Sequence, residues 1–173
     1  DYRYDSSDGY ASRLMAVAAL RDVLGRDPVP LEVDALTEAY LGVRPETVAA
    51  SKNYRLSPGI VPLLERLVAG GISLGLTTGN VEPAARIKLE RGGLNHFFAY
   101  GGFGSDSNLR PELTRRGMER GIGSSDDGLS RDDFITVGDT PLDILAAHES
   151  GSRIGGGAAG RDEVEGRTQG EGA

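Results

Sequence analysis

At 173 residues, 38% hydrophobic and 26% charged, the chain has the length of about one domain and the composition of a globular one. A net charge of −7 argues against a nucleic-acid or anionic-membrane partner, but not against a small phosphorylated one, because a local field can oppose the global sign. With no cysteine, disulfide frameworks and thiolate metal sites are excluded, and two histidines, His96 and His148, are too few for a histidine-rich metal site. No apolar run approaches the roughly 20 residues that span a bilayer and no secretory signal opens the chain, so the cytoplasm is the expected compartment. The first residue is Asp1 rather than methionine, which fits a processed, trimmed or fragmentary product.

Residues 1–10, "DYRYDSSDGY", are polar and aperiodic and read as loop. From Ala11 the apolar residues Leu14, Val17, Ala18 and Leu20 fall at helical spacing up to Gly25. "RDPVP" breaks that pattern. "LEVDALTEAYLGV" (31–43) predicts a second helix ending near Gly42, and "RPETVAASKNYRL" reads as a further helical turn running into a loop. Residues 11–55 thus form a short helical segment ahead of a different pattern.

That pattern starts at Ser57, an N-cap residue followed by Pro58 at a favourable first position. Ile60, Leu63, Leu64, Leu67 and Val68 make one apolar helix face, stopped at Gly70–Gly71. "ISLGLTT" (72–78) is a short apolar run between glycines, hence a buried strand. Asn80 is placed to cap a helix through Glu90, closed by Gly92–Gly93. "FFAYGGF" (97–103) predicts a strand, "RPELTRRGMERG" a helix, "SRDDFITVGD" a strand, and "PLDILAAHESG" a helix. Strands and helices that alternate in this way predict an α/β fold: a doubly wound parallel sheet, Rossmann-like, over residues 56–160. The tail lacks the apolar strand expected to finish the sheet, so the sheet is expected to be incomplete at both termini, with residues 161–173 disordered.

Ligands of an open parallel sheet gather beyond the carboxyl ends of its strands, and two strand ends here carry suitable chemistry. "LTTGN" puts Thr78, Gly79 and Asn80 at a strand-to-helix turn. A hydroxyl beside free amides at a helix N-terminus can cradle a phosphate, although Thr78 and Asn80 could equally only cap the helix. "GDTPLD" puts Asp139 and Asp143 at the other strand end. Hard carboxylate oxygens suit Mg2+, while the plainer alternative is an Asp cap followed by an acid in the first helical turn. "GGGAAG" (155–160) fits a dinucleotide-binding glycine pattern, but no amphipathic helix follows it, so it reads as a flexible run. His96 reads as a loop residue, His148 as surface or edge packing, and the charges at 115–120 as a solvated helix face.

"LGLTTGN", "GGFGSDSNLRPEL" and "FITVGDTPLDILAAHESG", in that order and spacing, resemble the second, third and fourth motifs of the haloacid dehalogenase-like hydrolases. The phosphoglycolate-phosphatase-like branch is the most similar, over about residues 55–160. The resemblance implies a Mg2+-dependent phosphatase that acts on a small phosphorylated metabolite through an aspartyl-phosphate. It further implies Thr78 as the phosphate-binding hydroxyl and Arg110 as the neutralising cation, where the family more often has lysine. Asp139 becomes a Mg2+ ligand, and Asp143 a ligand or the orienter of a metal-bound water. Residues 11–55 become a shortened cap. It gives neither the substrate nor the oligomeric state. The family's first motif, an apolar strand ending in Asp-x-Asp-Gly-Thr with the nucleophile first, has no counterpart. "YDSSDGYA" offers Asp5 and Asp8 at Asp-x-x-Asp spacing, and the extra residue changes which acid faces a given side of a strand. Asp8 is therefore a weak nucleophile candidate. A truncated or inactive member that keeps only the phosphate and metal half-site is the alternative. These 173 residues are expected to show little or no Mg2+-dependent hydrolysis of an aryl phosphate.

Overall fold

The structure, a computed structural model, describes residues 12–126, 128–138 and 140–156. Asp5, Asp8, Asp139, the loop at 1–10 and the tail at 161–173 lie outside the described residues.

Helix α1 (Ser12–Leu24) ends where Gly25, at φ 65°, turns back to donate its N–H to the Arg21 carbonyl at 3.0 Å. Helix α2 (Pro30–Ala50) starts as expected, with Pro30 in the first turn and the Glu32 carboxylate accepting the Val29 N–H at 2.9 Å. It does not stop at Gly42. The helix runs on through Pro45, because its far end is held from outside. Arg91 donates to the carbonyls of Val48 and Ser51 and stacks its guanidinium 4.6 Å from the Tyr54 ring centroid. A cap supplied from a residue forty positions away leaves no mark in the local sequence.

Helix α3 (Ile60–Ala69) begins two residues later than the Ser57–Pro58 signal suggests. Gly59 takes the left-handed conformation at φ 80°, and Ile60 N–H bonds to the Ser57 carbonyl, so Ser57 starts a turn and not the helix. Of the predicted apolar face only Leu64 is buried, while Leu63 and Val68 are about half exposed.

Strand β1 (Gly75–Thr78) leads through Gly79–Asn80 to α4 (Glu82–Arg91), which is capped at Val81 and not Asn80. A 3-10 turn at Asn95–Phe97 carries exposed His96 and precedes β2 (Tyr100–Phe103), which pairs in parallel with β1, Thr78 opposite Phe103. Helix α5 (Arg110–Gly123), β3 (Ile135–Gly138), α6 (Pro141–Ser150) and β4 (Arg153–Gly156) complete the order. Strand β4 corrects the expectation that no strand follows α6. It is short and glycine-rich, and it pairs in parallel with β3, Thr136 opposite Ile154. Gly155 and Gly156 of the glycine run therefore sit in a strand.

The fold is α/β and Rossmann-like, with parallel β1–β2 and β3–β4 pairs not hydrogen-bonded to one another among the described residues. The sheet is thus incomplete, and β3 shows it: Ile135 and Val137 are 56% and 73% exposed. The two pairs are joined through helices. Helix α5 packs on β1 and β2, α6 packs on β3 and β4, and α5 packs on α6. Arg110 meets Asp143 while Arg115 meets the Glu149 carbonyl, so α5 and α6 run in the same direction with their N-termini together. The carboxyl ends of β2 and β3, which feed those helices, therefore lie on one side of the molecule. Helices α1 and α2 pack on each other, and α2 packs on α4.

The core is centred on Phe103, Leu113, Met118, Ala146 and Ala147. Its tightest seam is glycine-based. A Cβ at Gly102 would fall inside the Leu113 carbonyl, and Gly117 of α5 faces Gly102 across the same seam. The charges at 115–120 are not only a solvated face. Arg120 grips Asp106 with two nitrogens at 2.6–2.7 Å and donates to the Gly101 carbonyl, tying α5 to the β2 end. Gly102→Ala is expected to lower unfolding free energy by about 1–3 kcal/mol in a denaturant titration, as over-packing against backbone does. Gly123→Ala, with open space around the new methyl, is expected to change it little. Equal effects of the two would contradict the seam.

Candidate active site

The β1 end turns sharply. The Thr78 hydroxyl oxygen accepts the Asn80 backbone N–H at 3.2 Å and the Asn80 side-chain amide at 3.0 Å. With its oxygen occupied as an acceptor, the Thr78 O–H has no acceptor among the described residues and is free to donate to a ligand. The turn is backed by the loop after β2: Gly104 N–H bonds to the Asn80 carbonyl at 2.8 Å, and a Cβ there would collide with the Gly79 carbonyl. Thr78, Gly79 and Asn80 are all half-buried, so the turn is held from behind and reachable from in front.

Across the α5–α6 seam, Arg110 and Asp143 form one unit. Arg110 Nε donates to Asp143 Oδ1 at 2.7 Å, and Nη2 forms an ion pair with the same oxygen at 2.5 Å. Asp143 Oδ2 accepts the Thr140 N–H at 3.2 Å and the Thr140 hydroxyl at 2.8 Å, closing a reciprocal cap on α6. Asp143 is only 5% exposed, whereas Arg110 keeps more than a quarter of its side chain at the surface, with Nη1 unengaged among the described residues. Burial pushes the Asp143 carboxyl up, but the Thr140 hydroxyl and the Arg110 guanidinium outweigh it and hold the group below the ordinary aspartate range.

This geometry bears on the metal. Carboxylate oxygen is the right donor type for Mg2+. Asp143 accepts three hydrogen bonds, one on Oδ1 and two on Oδ2, with Arg110 Nη2 adding an ion-pair contact to Oδ1. No group of three or more acidic or histidine side chains suited to a metal occurs among the described residues. Asp143 orients Arg110 and caps α6, and Asp139 lies outside the described residues. The acid that the sequence pairs with Asp143 as cap is replaced in that role by Thr140, through a Thr-x-x-Asp box legible in "TPLD".

The family model for haloacid dehalogenase-like hydrolases matches residues 10–156. The chain belongs to the haloacid dehalogenase-like hydrolases. No curated protein matches it. The matched span covers both strand-end turns described above, so the hydroxyl of Thr78 and the Arg110–Asp143 pair lie within the family domain of this hydrolase.

Two residues near the turn carry no motif. Lys88, two turns along α4, donates from Nζ to Asn80 Oδ1 at 3.3 Å. Burial lowers its pKa, and the positive charge of Arg44 lowers it further. Arg44, in α2, stacks 4.8 Å from the Tyr40 ring centroid, and its Nε is buried without a partner. Only tertiary packing brings α2 to α4, so neither residue could be found by spacing.

Asp143, with its folded-state pKa depressed, contributes stability that is fully present above the unfolded value near 3.8 and lost as pH falls through the lower folded value. Asp143→Asn is therefore expected to flatten the loss of stability below about pH 4 as well as to lower stability at pH 7. A denaturation series across pH 2–7 measures this, and an acid limb unchanged by the substitution would contradict it.

Proposed function

We propose that this hydrolase acts on a small phosphomonoester of the phosphoglycolate class, in the cytoplasm, through an aspartyl-phosphate and with Mg2+ as cofactor. The observation that carries this reading is the Thr78 hydroxyl, whose oxygen accepts two hydrogen bonds from Asn80 at the carboxyl end of a parallel strand and whose O–H has no acceptor among the described residues. A donor fixed in that way is matched to an anionic oxygen and not to a neutral carbonyl partner within the fold. Arg110 supplies the second element. Asp143 holds two of its nitrogens, so its free Nη1 can meet a phosphoryl oxygen with little ordering left to do.

In the reaction this reading implies, a carboxylate attacks phosphorus and the ester oxygen leaves as the alcohol with a proton taken from water, after which water cleaves the acyl phosphate to restore the carboxylate and release phosphate. Thr78 would donate to one non-bridging oxygen throughout, and Arg110 would balance charge as it shifts to the leaving side. Mg2+, when bound at Asp139, would add charge neutralisation on the transferring group. The partners expected are small metabolites, with no nucleic acid or membrane. No helix among the described residues is long and apolar enough to cross a membrane.

One observation favours a second reading, a site that binds phosphate without turning it over: the sequence contains no Asp-x-Asp motif. One measurement tests the phosphate site that both readings share, and a second separates them. Calorimetric binding of inorganic phosphate with Mg2+ is expected to weaken about ten-fold in Thr78→Val, the loss of one charge-assisted hydrogen bond. Phosphate binding that is absent, or indifferent to Thr78, overturns the site itself. Hydrolysis of an aryl phosphate is expected to be weak, whereas robust Mg2+-dependent turnover abolished by Asp8→Asn would make Asp8 the nucleophile and exclude the second reading.

A further inference from the structure

The Thr78 hydroxyl keeps its proton for a ligand only while the Asn80 side chain presents its amide nitrogen to it and not its carbonyl. The two ends of a primary amide have nearly the same shape and opposite hydrogen-bonding character, so the neighbours decide which end faces where. Asn80 has two such neighbours. Its Nδ2 donates to Thr78 Oγ1 at 3.0 Å, and its Oδ1 accepts from Lys88 Nζ at 3.3 Å. A hydroxyl tolerates either end of an amide, because it both donates and accepts. An ammonium tolerates one end, because it has donors only. The choice at Asn80 is therefore made by Lys88.

The backbone that carries these side chains is pinned, which leaves the amide as the part able to turn. The Asn80 carbonyl accepts the Gly104 N–H at 2.8 Å, and the Lys88 carbonyl accepts the Tyr54 hydroxyl at 2.8 Å. Val81, Ala84 and Ala85 are buried, so α4 is also anchored at its start. Lys88 is half-buried, and its ammonium has no carboxylate and no second acceptor among the described residues. Rotated by half a turn, the Asn80 amide would set its NH2 group against that ammonium and its carbonyl against Thr78. The hydroxyl would then donate to Asn80 and have no proton left for a ligand.

We propose that Lys88 is a positioning residue for the Thr78 site: its ammonium holds the Asn80 amide in one orientation and so keeps the Thr78 hydroxyl available to a phosphoryl oxygen. This rests on the phosphate-binding role proposed above for Thr78 and adds the residue that sets its donor direction. Lys88 acts through Asn80 and Thr78, and not through its own charge. A cation that attracted phosphate directly would do so with or without the Thr78 hydroxyl. An orienting lysine has nothing to act through once that hydroxyl is gone.

Calorimetric titration of inorganic phosphate with Mg2+ at pH 7, on the full chain as wild type, Lys88→Met, Thr78→Val and the double variant, tests this. Lys88→Met is expected to weaken phosphate binding about three- to ten-fold, and no more than Thr78→Val does, the scale of one hydrogen bond to an anion. In the Thr78→Val background the same substitution is expected to change affinity by less than about two-fold. Lys88→Arg, whose guanidinium also has donors only, is expected to restore wild-type binding. Thermal melting identifies any variant that fails to fold. If Lys88→Met is one, the comparison in the two backgrounds is read from Lys88→Gln, whose amide can offer either end and is expected to give the same losses. Losses that add in the double variant, an equal loss in Lys88→Arg, or wild-type affinity without Lys88 overturn the proposal. If Thr78→Val itself leaves phosphate affinity unchanged, the phosphate assignment fails and the orienting role falls with it.

Discussion

Arg110 and Asp143 stand 33 positions apart in the chain, and their side chains meet at 2.5 Å across the seam between α5 and α6. Much of the architecture depends on that seam. The two strand pairs share no hydrogen bonds among the described residues, so their side-by-side placement is carried by the helices that cover them. Small residues let the helices approach the strands: Gly117 and Gly121 of α5 face Gly102 and the Tyr100 ring, and Ala146 and Ala147 of α6 are fully buried. The ion pair then fixes their register, because Asp143 meets Arg110 with one oxygen while it holds Thr140 with the other. Removing either partner would leave a buried group with unmet bonds, which costs more than the pair contributes.

The same unit gives the site its chemistry. A guanidinium held by two of its nitrogens keeps a third for a ligand, and the ordering entropy of that side chain is spent on folding and not on binding. Thr78 follows the same logic, with Asn80 occupying the hydroxyl oxygen so that only its proton is left to offer. Both groups are thus pre-aimed by neutral or oppositely charged neighbours from other elements.

The strand ends were legible in the sequence because each combines a short apolar run, a glycine and a polar turn: "GLTTGN" and "TVGDT" read directly onto β1 and β3. The α/β order was legible for the same reason. Helix ends set by distant residues were not. Gly42 and Pro45 are sound local stop signals, overridden by Arg91 reaching across to the carbonyls of Val48 and Ser51. Strand β4 was missed because "RIGG" has almost no apolar content, and its strand character comes from pairing with β3. The charges of α5 gave no sign of Arg120 reaching Asp106 and the β2 backbone, since that contact needs the fold to exist. The apolar face of α3 and the exposed Ile135 and Val137 of β3 show the reverse case, where the pattern calls for burial that the described residues do not provide.

The central claim is that Arg110 and Asp143 act as one unit joining α5 to α6. A double-mutant cycle on unfolding free energy at pH 7, with Arg110→Gln, Asp143→Asn and the double variant, measures this most directly. A coupling energy of about 1–3 kcal/mol, with the double variant less destabilised than the sum of the two, is the predicted result. A coupling energy indistinguishable from zero would mean that the two side chains stabilise the fold independently, and would contradict the account.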